Sequence, residues 1–200
     1  MPLQGVKKVV LIGDGGAGKT CMIISHITNA FSANYIPFHI TPHTTVKIKS
    51  SEDTYQLALE DTAGQDDYDR LRPLSYLQAD VFLICFRVTW FTSFENIRDK
   101  WYPEMRHYCP DVPFLIVATQ IDLRDCPEVI EKFAGQNQRL ISTEEGERLA
   151  YELGAAKYVE CSSLTRKGLD DVFHEALIAS LDERPVYKPK PKRRVKCIIL

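Results

Sequence analysis

The stretch Val9-Val-Leu-Ile12-Gly13-Asp-Gly-Gly-Ala-Gly18-Lys19-Thr20 joins a short apolar run to a glycine-rich segment with the spacing GxxxxGK[ST]. Glycines at such a turn let backbone N–H groups close around phosphates. Lys19 would bring a point charge to the β- and γ-phosphates, and the Thr20 hydroxyl can ligate Mg²⁺. Because a helix-like pattern follows, the sequence predicts a strand, a phosphate-binding loop and a helix rather than an ordinary tight turn.

Length and composition indicate one compact domain. The chain has 200 residues, of which 44% are hydrophobic and 26% charged, which allows a sizeable core and excludes disorder of the whole chain. No apolar run approaches the roughly 18 residues of a membrane-spanning helix, and the first residues lack the hydrophobic region of a signal peptide. A cytosolic body is therefore expected.

The six cysteines indicate neither a disulfide framework nor a zinc site, because they form no CxxC pair and have no histidine at a suitable spacing. Most are expected to be reduced. Cys85 lies inside the apolar run 81–86 and is interpreted as buried packing, whereas Cys197 stands fourth from the end.

Charge is distributed unevenly along the chain. The net charge is −2, but residues 185–200 carry six basic residues and no acid, which leaves a charge of −8 on residues 1–184. Pro185, Pro189 and Pro191 favour an extended tail from about Glu183 onward. A basic terminus on an acidic body indicates an anionic partner, either a membrane or a nucleic acid.

Short apolar runs predict a parallel sheet that is covered on both faces. They lie at Val6–Ile12, Val81–Phe86 and Phe114–Ala118. Thr44–Lys49 and Tyr55–Glu60, with a polar segment between them, predict an antiparallel hairpin at the sheet edge. The sequence thus predicts a three-layer α/β domain with six strands, whose ligand lies outside the carboxyl ends of the parallel strands.

Helical patterns alternate with these strands. Phe94, Ile97 and Trp101 repeat at i, i+3 and i+7, and the apolar residues between 169 and 181 trace one helix face. Ser142-Thr-Glu-Glu145 is typical of a capping box at a helix start. We interpret the apolar stripes as core contacts rather than ligand sites.

Three further motifs follow predicted strands. In Asp61-Thr-Ala-Gly64-Gln65 the carboxylate can hold the water shell of a metal, the glycine amide can approach a γ-phosphate, and the glutamine can orient a water. The carboxylate in Thr119-Gln120-Ile121-Asp122 can accept hydrogen bonds from the N1–H and amine of guanine, a donor pair that adenine lacks. A backbone N–H in Glu160-Cys-Ser162-Ser163, after Lys157–Val159, can donate to the guanine carbonyl.

With these motifs the chain resembles small GTPases of the Rho family, closest to the Rac and Cdc type. The resemblance covers essentially the whole chain and includes Gln65-Asp-Asp-Tyr-Asp-Arg-Leu-Arg-Pro-Leu-Ser-Tyr76 and Thr119-Gln-Ile-Asp-Leu-Arg-Asp125. It implies a P-loop small GTPase fold with a six-stranded, mostly parallel sheet and one antiparallel edge strand. It also implies a G domain over 1–182 with a Rho-type insert helix at about 126–140, and a flexible polybasic tail over 183–200.

The resemblance implies GTP or GDP as bound nucleotide, Mg²⁺ on Thr20 and Asp61, and Lys19 and Gln65 as catalytic residues. Phe31 is expected to pack edgewise on the guanine, although a plain core phenylalanine is the alternative, and Cys21 is expected to place its backbone amide on the α-phosphate. The implied nucleotide-binding residues are Gly15, Gly16, Ala17, Gly18, Lys19, Thr20, Cys21, Phe31, Asp61, Gly64, Thr119, Gln120, Asp122, Leu123, Ser162, Ser163 and Leu164.

The chain departs from the family in the first switch segment, which reads Tyr35-Ile-Pro37-Phe38-His-Ile-Thr41. Phe38 stands where the family has a threonine that ligates Mg²⁺ and senses the γ-phosphate, or else that threonine is deleted. Thr41 could replace it only if the loop folds differently, because the adjoining Pro42 constrains the backbone. We therefore expect GTP to bind but to be distinguished weakly from GDP.

The segment Cys197-Ile-Ile-Leu200 fits a C-a-a-X box, whose terminal leucine favours geranylgeranylation. The basic residues before it would supply a second membrane signal. The alternative is a solubilising or nucleic-acid-binding tail. We favour the lipid interpretation, which predicts that the protein lies on the cytoplasmic face of the plasma membrane with a cytosolic pool. On this interpretation nucleic acid is not a partner.

The leading interpretation is a monomeric, membrane-anchored GTPase switch in cytoskeletal signalling. The resemblance implies exchange factors, GTPase-activating proteins, a dissociation inhibitor and cytoskeletal effectors as partners. The second interpretation is a non-hydrolysing guanine-nucleotide-binding module with a defective first switch. A nucleoside monophosphate kinase would share the phosphate loop, but it needs an arginine-rich lid that the sequence lacks.

Overall fold

The computed structural model describes residues 3–31, 44–50, 53–136 and 138–182. Within them a six-stranded sheet has the order β2-β3-β1-β4-β5-β6. The strands are β1 Leu3–Ile12, β2 Thr44–Ser50, β3 Asp53–Asp61, β4 Val81–Arg87, β5 Phe114–Thr119 and β6 Lys157–Glu160.

Helices connect the strands in the order expected for parallel crossovers. The α-helices are α1 Lys19–Thr28, α2 Phe91–Asn96, α3 Tyr102–Tyr108, α4 Pro127–Gly135, α5 Thr143–Leu153 and α6 Leu169–Leu181. A π-helical turn, Ile97–Trp101, joins α2 to α3. Short 3₁₀ segments span Asp66–Tyr68, Arg72–Tyr76 and Ile121–Asp125. No helix in the described part of the chain is long and apolar enough to cross a membrane.

The strand directions confirm the predicted fold class. Strand β1 pairs in parallel with β3 and β4, β5 pairs in parallel with β4 and β6, and β2 pairs antiparallel with β3 at the edge. In this register Leu11 lies opposite both Asp61 and Leu83, so the carboxyl ends of the parallel strands share one edge of the sheet. The loops that carry the sequence motifs therefore lie next to one another.

Each apolar run is continuous because the sheet buries both of its faces. Val9 and Leu11 belong to the core beneath α1 and α6, whereas Val10 and Ile12 belong to the core on the opposite face. Successive strand side chains point to opposite faces, so a strand between two helical layers needs an apolar residue at every position. Cys85 is fully buried in the first core, as predicted.

The structure differs from the predicted elements in three places. Strand β1 begins at Leu3, three residues earlier than expected. The hairpin ladder continues to Ser50 opposite Asp53, because main-chain pairing also holds polar residues of the predicted turn. The predicted stripe from Phe94 to Trp101 is not one regular α-helix, since a π-turn occupies its second half while still burying Ile97 and Trp101.

The predicted capping box at the start of α5 is present. The Ser142 hydroxyl accepts a hydrogen bond from the backbone N–H of Glu145, and the Glu145 carboxylate accepts one from the backbone N–H of Ser142. Arg139 also donates to this carboxylate and is the main reason that the pKa of Glu145 is lowered to about 2. The side chain therefore stays charged and keeps the helix end capped through neutral and mildly acidic pH.

We predict that Ser142→Ala lowers the free energy of unfolding by about 1 kcal/mol at pH 7, the usual cost of removing a helix cap. Replacing the carboxylate in Glu145→Gln should also destabilise at pH 7. Because the folded pKa lies below the unfolded value, this second difference should shrink as the pH falls from about 4.5 toward 2. Urea denaturation at several pH values measures both effects, and Glu147→Gln, an exposed position of α5, should match the wild type.

Candidate functional site

The phosphate-binding motif forms a loop between β1 and α1, as its sequence predicts. Gly16 and Gly18 have φ values of +81° and +85°, a left-handed backbone that glycine adopts without strain. Gly13 has a φ of +139°, and a side chain there would overlap the backbone of Cys85 in β4. The glycines therefore permit both the tight turn and its close approach to the neighbouring strand.

Lys19 lies at the start of α1 with its ammonium group inside the loop. Its Nζ donates to the backbone oxygens of Gly13 at 2.6 Å and Asp14 at 2.9 Å, and the residue is 5% exposed. Burial lowers the pKa of Lys19, and the nearby Asp61 and Asp14 carboxylates oppose that shift. An anionic phosphate at this loop would stabilise the charged ammonium further.

Thr20 and Asp61, the predicted metal ligands, lie together. The Thr20 hydroxyl donates to Asp61 Oδ2 at 2.5 Å. Asp61 Oδ1 is buried and has no hydrogen-bond partner among the described residues. Burial is the main cause of the raised pKa of Asp61, which the Thr20 hydrogen bond and the Lys19 charge oppose.

This pair fits Mg²⁺. The ion prefers oxygen ligands, keeps several waters and is usually held by one or two protein groups together with substrate phosphates. A hydroxyl and a carboxylate oxygen without a partner match that pattern. No cluster of three or more His, Cys, Asp or Glu side chains suited to a metal is found in the part of the chain that the structure describes.

Gly64 and Gln65 lie against the phosphate loop. A side chain at Gly64 would overlap the backbone of Gly13 and Gly15, so only glycine permits this approach. A Cβ built on Gly15 would lie 3.7 Å from Gln65 Cγ, an ordinary van der Waals contact, which places the predicted catalytic glutamine beside the loop.

The predicted base-recognition motifs lie at the ends of β5 and β6, which are neighbours. Thr119 Oγ1 is 2.8 Å from the backbone oxygen of Ala17, which joins β5 to the phosphate loop. Gln120 has a φ of +59° and precedes the turn that carries Asp122 and Leu123.

Backbone hydrogen bonds join the two loops that are predicted to recognise the base. The N–H of Ile121 donates to the oxygen of Cys161 at 3.4 Å, and the N–H of Cys161 donates to the oxygen of Ala118 at 2.8 Å. Ser162 and Ser163 are buried, whereas Leu164 is exposed. The geometry thus brings the phosphate, metal and base motifs to one edge of the sheet.

Two further predicted residues lie in the first turn of α1 and just after its end. Cys21 is an exposed residue of α1. Its thiol is still partly shielded from solvent, and this partial burial is the main cause of its raised pKa. Phe31 is 40% exposed, which is not the burial of a core side chain. Its packing on guanine stays a prediction. The expectations for Phe38 and Thr41 lie outside the described residues, as do those for Cys197 and the basic tail.

Sequence reasoning missed the partners of Asp14, a phosphate-loop residue that is 7% exposed. Its Oδ1 accepts a hydrogen bond from Trp101 Nε1 at 2.7 Å, and its Oδ2 accepts one from Asn96 Nδ2 at 2.8 Å. Both donors lie in the α2 and π-turn region, more than 80 residues along the chain. The signal in the sequence is an aspartate inside the motif loop, because a carboxylate that is buried there needs hydrogen-bond donors.

Arg72 extends this network to the segment after Gly64. Its guanidinium lies over the Trp101 ring at 4.6 Å, forms two hydrogen bonds to the Glu104 carboxylate, and donates to the backbone oxygens of Ala63 and Gln65. Its side chain is 1% exposed. One buried cation therefore fixes the backbone on both sides of Gly64.

We predict that Trp101→Phe lowers the free energy of unfolding by about 1–3 kcal/mol, because Asp14 Oδ1 stays buried but loses its donor. Trp90→Phe is the control for the same substitution at an exposed position, since Trp90 is 40% exposed whereas Trp101 is fully buried. Chemical denaturation of both variants measures the difference. A loss at position 101 no larger than that of the control would contradict a contribution from the indole hydrogen bond.

Comparison with known families agrees with this geometry. A model of the Ras family matches residues 8–182, which cover all six strands except the first residues of β1. The matched region contains the phosphate loop, the Thr20 and Asp61 pair and both loops that are predicted to recognise the base. The chain belongs to the Ras family of small GTP-binding proteins.

Proposed function

We propose that this protein is a Rho-type GTPase that binds GTP and GDP with Mg²⁺ and hydrolyses GTP. The observation that carries the proposal is the meeting of Lys19, the Thr20–Asp61 pair and Gln65 around one glycine loop. These are the parts that phosphoryl transfer needs, namely a phosphate cradle, a metal position and a residue that orients water. Asp122 on the adjoining turn supplies the preference for guanine.

In this mechanism the main role of the protein is to bind the phosphates and to orient the attacking water. Backbone N–H groups of the phosphate loop and the Lys19 ammonium hold the β- and γ-phosphates and stabilise the charge that develops during transfer. Gln65 orients the attacking water. The backbone oxygen of Gln65 accepts a hydrogen bond from Arg72, which holds this residue in place. Mg²⁺, held by Thr20 and Asp61, would neutralise charge on the β- and γ-phosphate oxygens when bound.

Assignment to the Rho branch rests on sequence resemblance, with one supporting observation. The segment 126–140, which the resemblance assigns to the Rho insert, contains the helix α4 Pro127–Gly135. None of its residues is buried, as suits a helix added to the outside of the domain. Exchange factors, activating proteins, a dissociation inhibitor and cytoskeletal effectors are the partners that follow from this assignment.

The test is single-turnover hydrolysis of preloaded GTP by purified protein with Mg²⁺. We expect a rate on the order of 10⁻⁴ s⁻¹, the intrinsic scale of small GTPases. Gln65→Leu and Gly15→Val should both abolish hydrolysis while nucleotide stays bound, the first by removing the water-orienting amide and the second by displacing it. Gln138→Leu, at an exposed position far along the chain, serves as the control.

A second candidate function is a guanine-nucleotide-binding module without hydrolysis. Phe38 in place of the expected threonine favours it, because that hydroxyl normally closes the first switch on the γ-phosphate. Wild-type protein that retains GTP but hydrolyses it no faster than Gln65→Leu would select this function. Failure to load either GTP or GDP would reject both candidates.

We also propose a lipid anchor at Cys197 on the cytoplasmic face of the plasma membrane. The C-a-a-X box and six upstream basic residues are the two signals that stable anchoring requires, since each basic residue near anionic lipid contributes roughly 1 kcal/mol. Cys197→Ser should therefore move the protein from the membrane pellet to the supernatant when expressed in eukaryotic cells. Cys126→Ser is the control, and unchanged pelleting of Cys197→Ser would contradict the anchor.

A further inference from the structure

An ion pair joins the two loops that are proposed to bind guanine. Arg124 lies on the 3₁₀ turn Ile121–Asp125, two residues after Asp122, and Glu160 is the last residue of β6, two residues before Ser162. Arg124 Nη1 lies 2.8 Å from Glu160 Oε1 and 2.9 Å from Oε2. Each member of the pair is therefore two residues from a position that is predicted to contact the base.

Glu160 is held in place from its own strand. The Tyr158 hydroxyl donates to Glu160 Oε1 at 2.6 Å, because side chains two residues apart share one face of β6. The Tyr158 ring lies against Gly146 of α5, where any side chain would overlap the ring. Burial alone would raise the pKa of Glu160, but hydrogen bonds, chiefly from Tyr158 and Arg124, outweigh burial and lower the pKa. The carboxylate therefore stays charged at neutral pH.

Arg124 also contacts the segment that begins α5. Its Nε donates to the backbone oxygen of Ile141 at 2.9 Å, and its Nη1 lies 3.1 Å from Thr143 Oγ1. Arginine suits this position because its planar guanidinium presents donors in several fixed directions. One side chain thus holds the turn that carries Asp122 against both α5 and β6.

Backbone hydrogen bonds alone hold this turn to the loop after β6 only weakly. The Ile121 N–H donates to the Cys161 oxygen across 3.4 Å, beyond the usual range of about 2.7–3.2 Å for such bonds. The shorter bond, from the Cys161 N–H to the Ala118 oxygen at 2.8 Å, ends on β5 and does not reach the turn. The side chains of Arg124 and Glu160 are 19% and 21% exposed, so solvent screens their attraction less than that of a surface pair. The ion pair is therefore the stronger link between the two loops.

We propose that Arg124 and Glu160 are positioning residues for the guanine base, and that their ion pair sets the spacing between the Asp122 carboxylate and the backbone N–H groups that follow Glu160. The proposal rests on the proposed function, because it assigns these two loops to guanine. It adds that the preference for guanine depends on an ion pair outside the set of residues predicted to contact the nucleotide.

Guanine is sensitive to this spacing because it would engage both loops at once. Its N1–H and exocyclic amine would donate to Asp122, while its carbonyl would accept from a backbone N–H of the other loop. Hypoxanthine, the base of inosine nucleotides, keeps the N1–H and the carbonyl but lacks the amine. A turn that shifts relative to the other loop cannot align the carboxylate with both donors while the carbonyl stays bonded. Loss of the ion pair should therefore reduce the advantage of guanine over hypoxanthine.

The experiment measures release of N-methylanthraniloyl GDP and N-methylanthraniloyl IDP from the full chain into excess GDP, with Mg²⁺ present. Stoichiometric loading of the wild type is measured first. The wild type should release the inosine nucleotide roughly tenfold faster, the size expected for one hydrogen bond to a charged group. Arg124→Met and Glu160→Gln should release the guanine nucleotide about three- to tenfold faster than the wild type, and the ratio between the two nucleotides should fall about threefold.

Two further variants test the pair as a unit. The double variant of Arg124→Met with Glu160→Gln should release the guanine nucleotide no faster than the faster single variant, because each single change leaves one charge unpaired and the double change leaves none. Tyr158→Phe keeps the ring against Gly146 but removes the hydroxyl that holds Glu160. It should show the same two changes at smaller size, and it decides the question if Arg124→Met does not fold.

Arg98→Met and Glu152→Gln are the matched controls, since they remove the same charges from an exposed pair between the π-turn and α5. Both should release nucleotide at wild-type rates. Wild-type rates in the Arg124, Glu160 and Tyr158 variants would overturn the inference. Faster release with an unchanged ratio between the two nucleotides would also overturn it, because that result shows only a structural role.

The wild type separates this inference from the proposed function. A wild type that loads nucleotide but releases both analogues at the same rate would overturn the inference while leaving nucleotide binding intact. Failure of the wild type to load either nucleotide would instead overturn the proposed function and this inference with it.

Discussion

The site depends on one buried carboxylate. A phosphate loop must leave its backbone N–H groups free for the ligand, so the Asp14 side chain cannot be satisfied by its own loop and needs donors from elsewhere. Trp101 and Asn96 supply them from the helical layer on one face of the sheet. Trp101 ends the π-turn, and its indole donates to the loop while its ring stays in the core.

The indole of Trp101 also contacts the segment after Gly64, through Arg72. Arg72 lies over its ring and holds the backbone oxygens on both sides of Gly64, and Glu104 holds Arg72 in place. Tyr76 also donates a hydrogen bond to Glu104. Burial is the main reason that the pKa of the Tyr76 phenol lies well above its usual value, and this hydrogen bond raises the pKa further. A tight buried network of this kind resists rearrangement, because removal of one member leaves charges unpaired in the interior. Movement of the segment after Gly64 must therefore be linked to movement of α3.

The sequence predicted what is local and periodic, and it missed what depends on distant side chains. Apolar runs such as Val81–Phe86 identified strands because burial on both faces leaves no polar position. The glycine spacing identified the loop because its backbone angles allow few other residues. The contacts of Asp14 with Trp101, or of His26 with Asp170, join positions far apart in the chain, and no spacing rule connects them. The π-turn was missed as well, because the spacing of Phe94, Ile97 and Trp101 is also that of a regular α-helix.

Burial of the charged side chains of Lys19 and Asp61 costs free energy, and the proposed ligands would offset both costs. Burial disfavours the charged form of Lys19 and also the charged form of Asp61, yet the two lie close enough to stabilise each other. Phosphate would stabilise the first, and a divalent cation the second, through the oxygen of Asp61 that has no partner among the described residues. Each charge that enters makes the site more favourable for the other. Nucleotide and metal should therefore bind cooperatively, because the same desolvated pair of groups is completed by both.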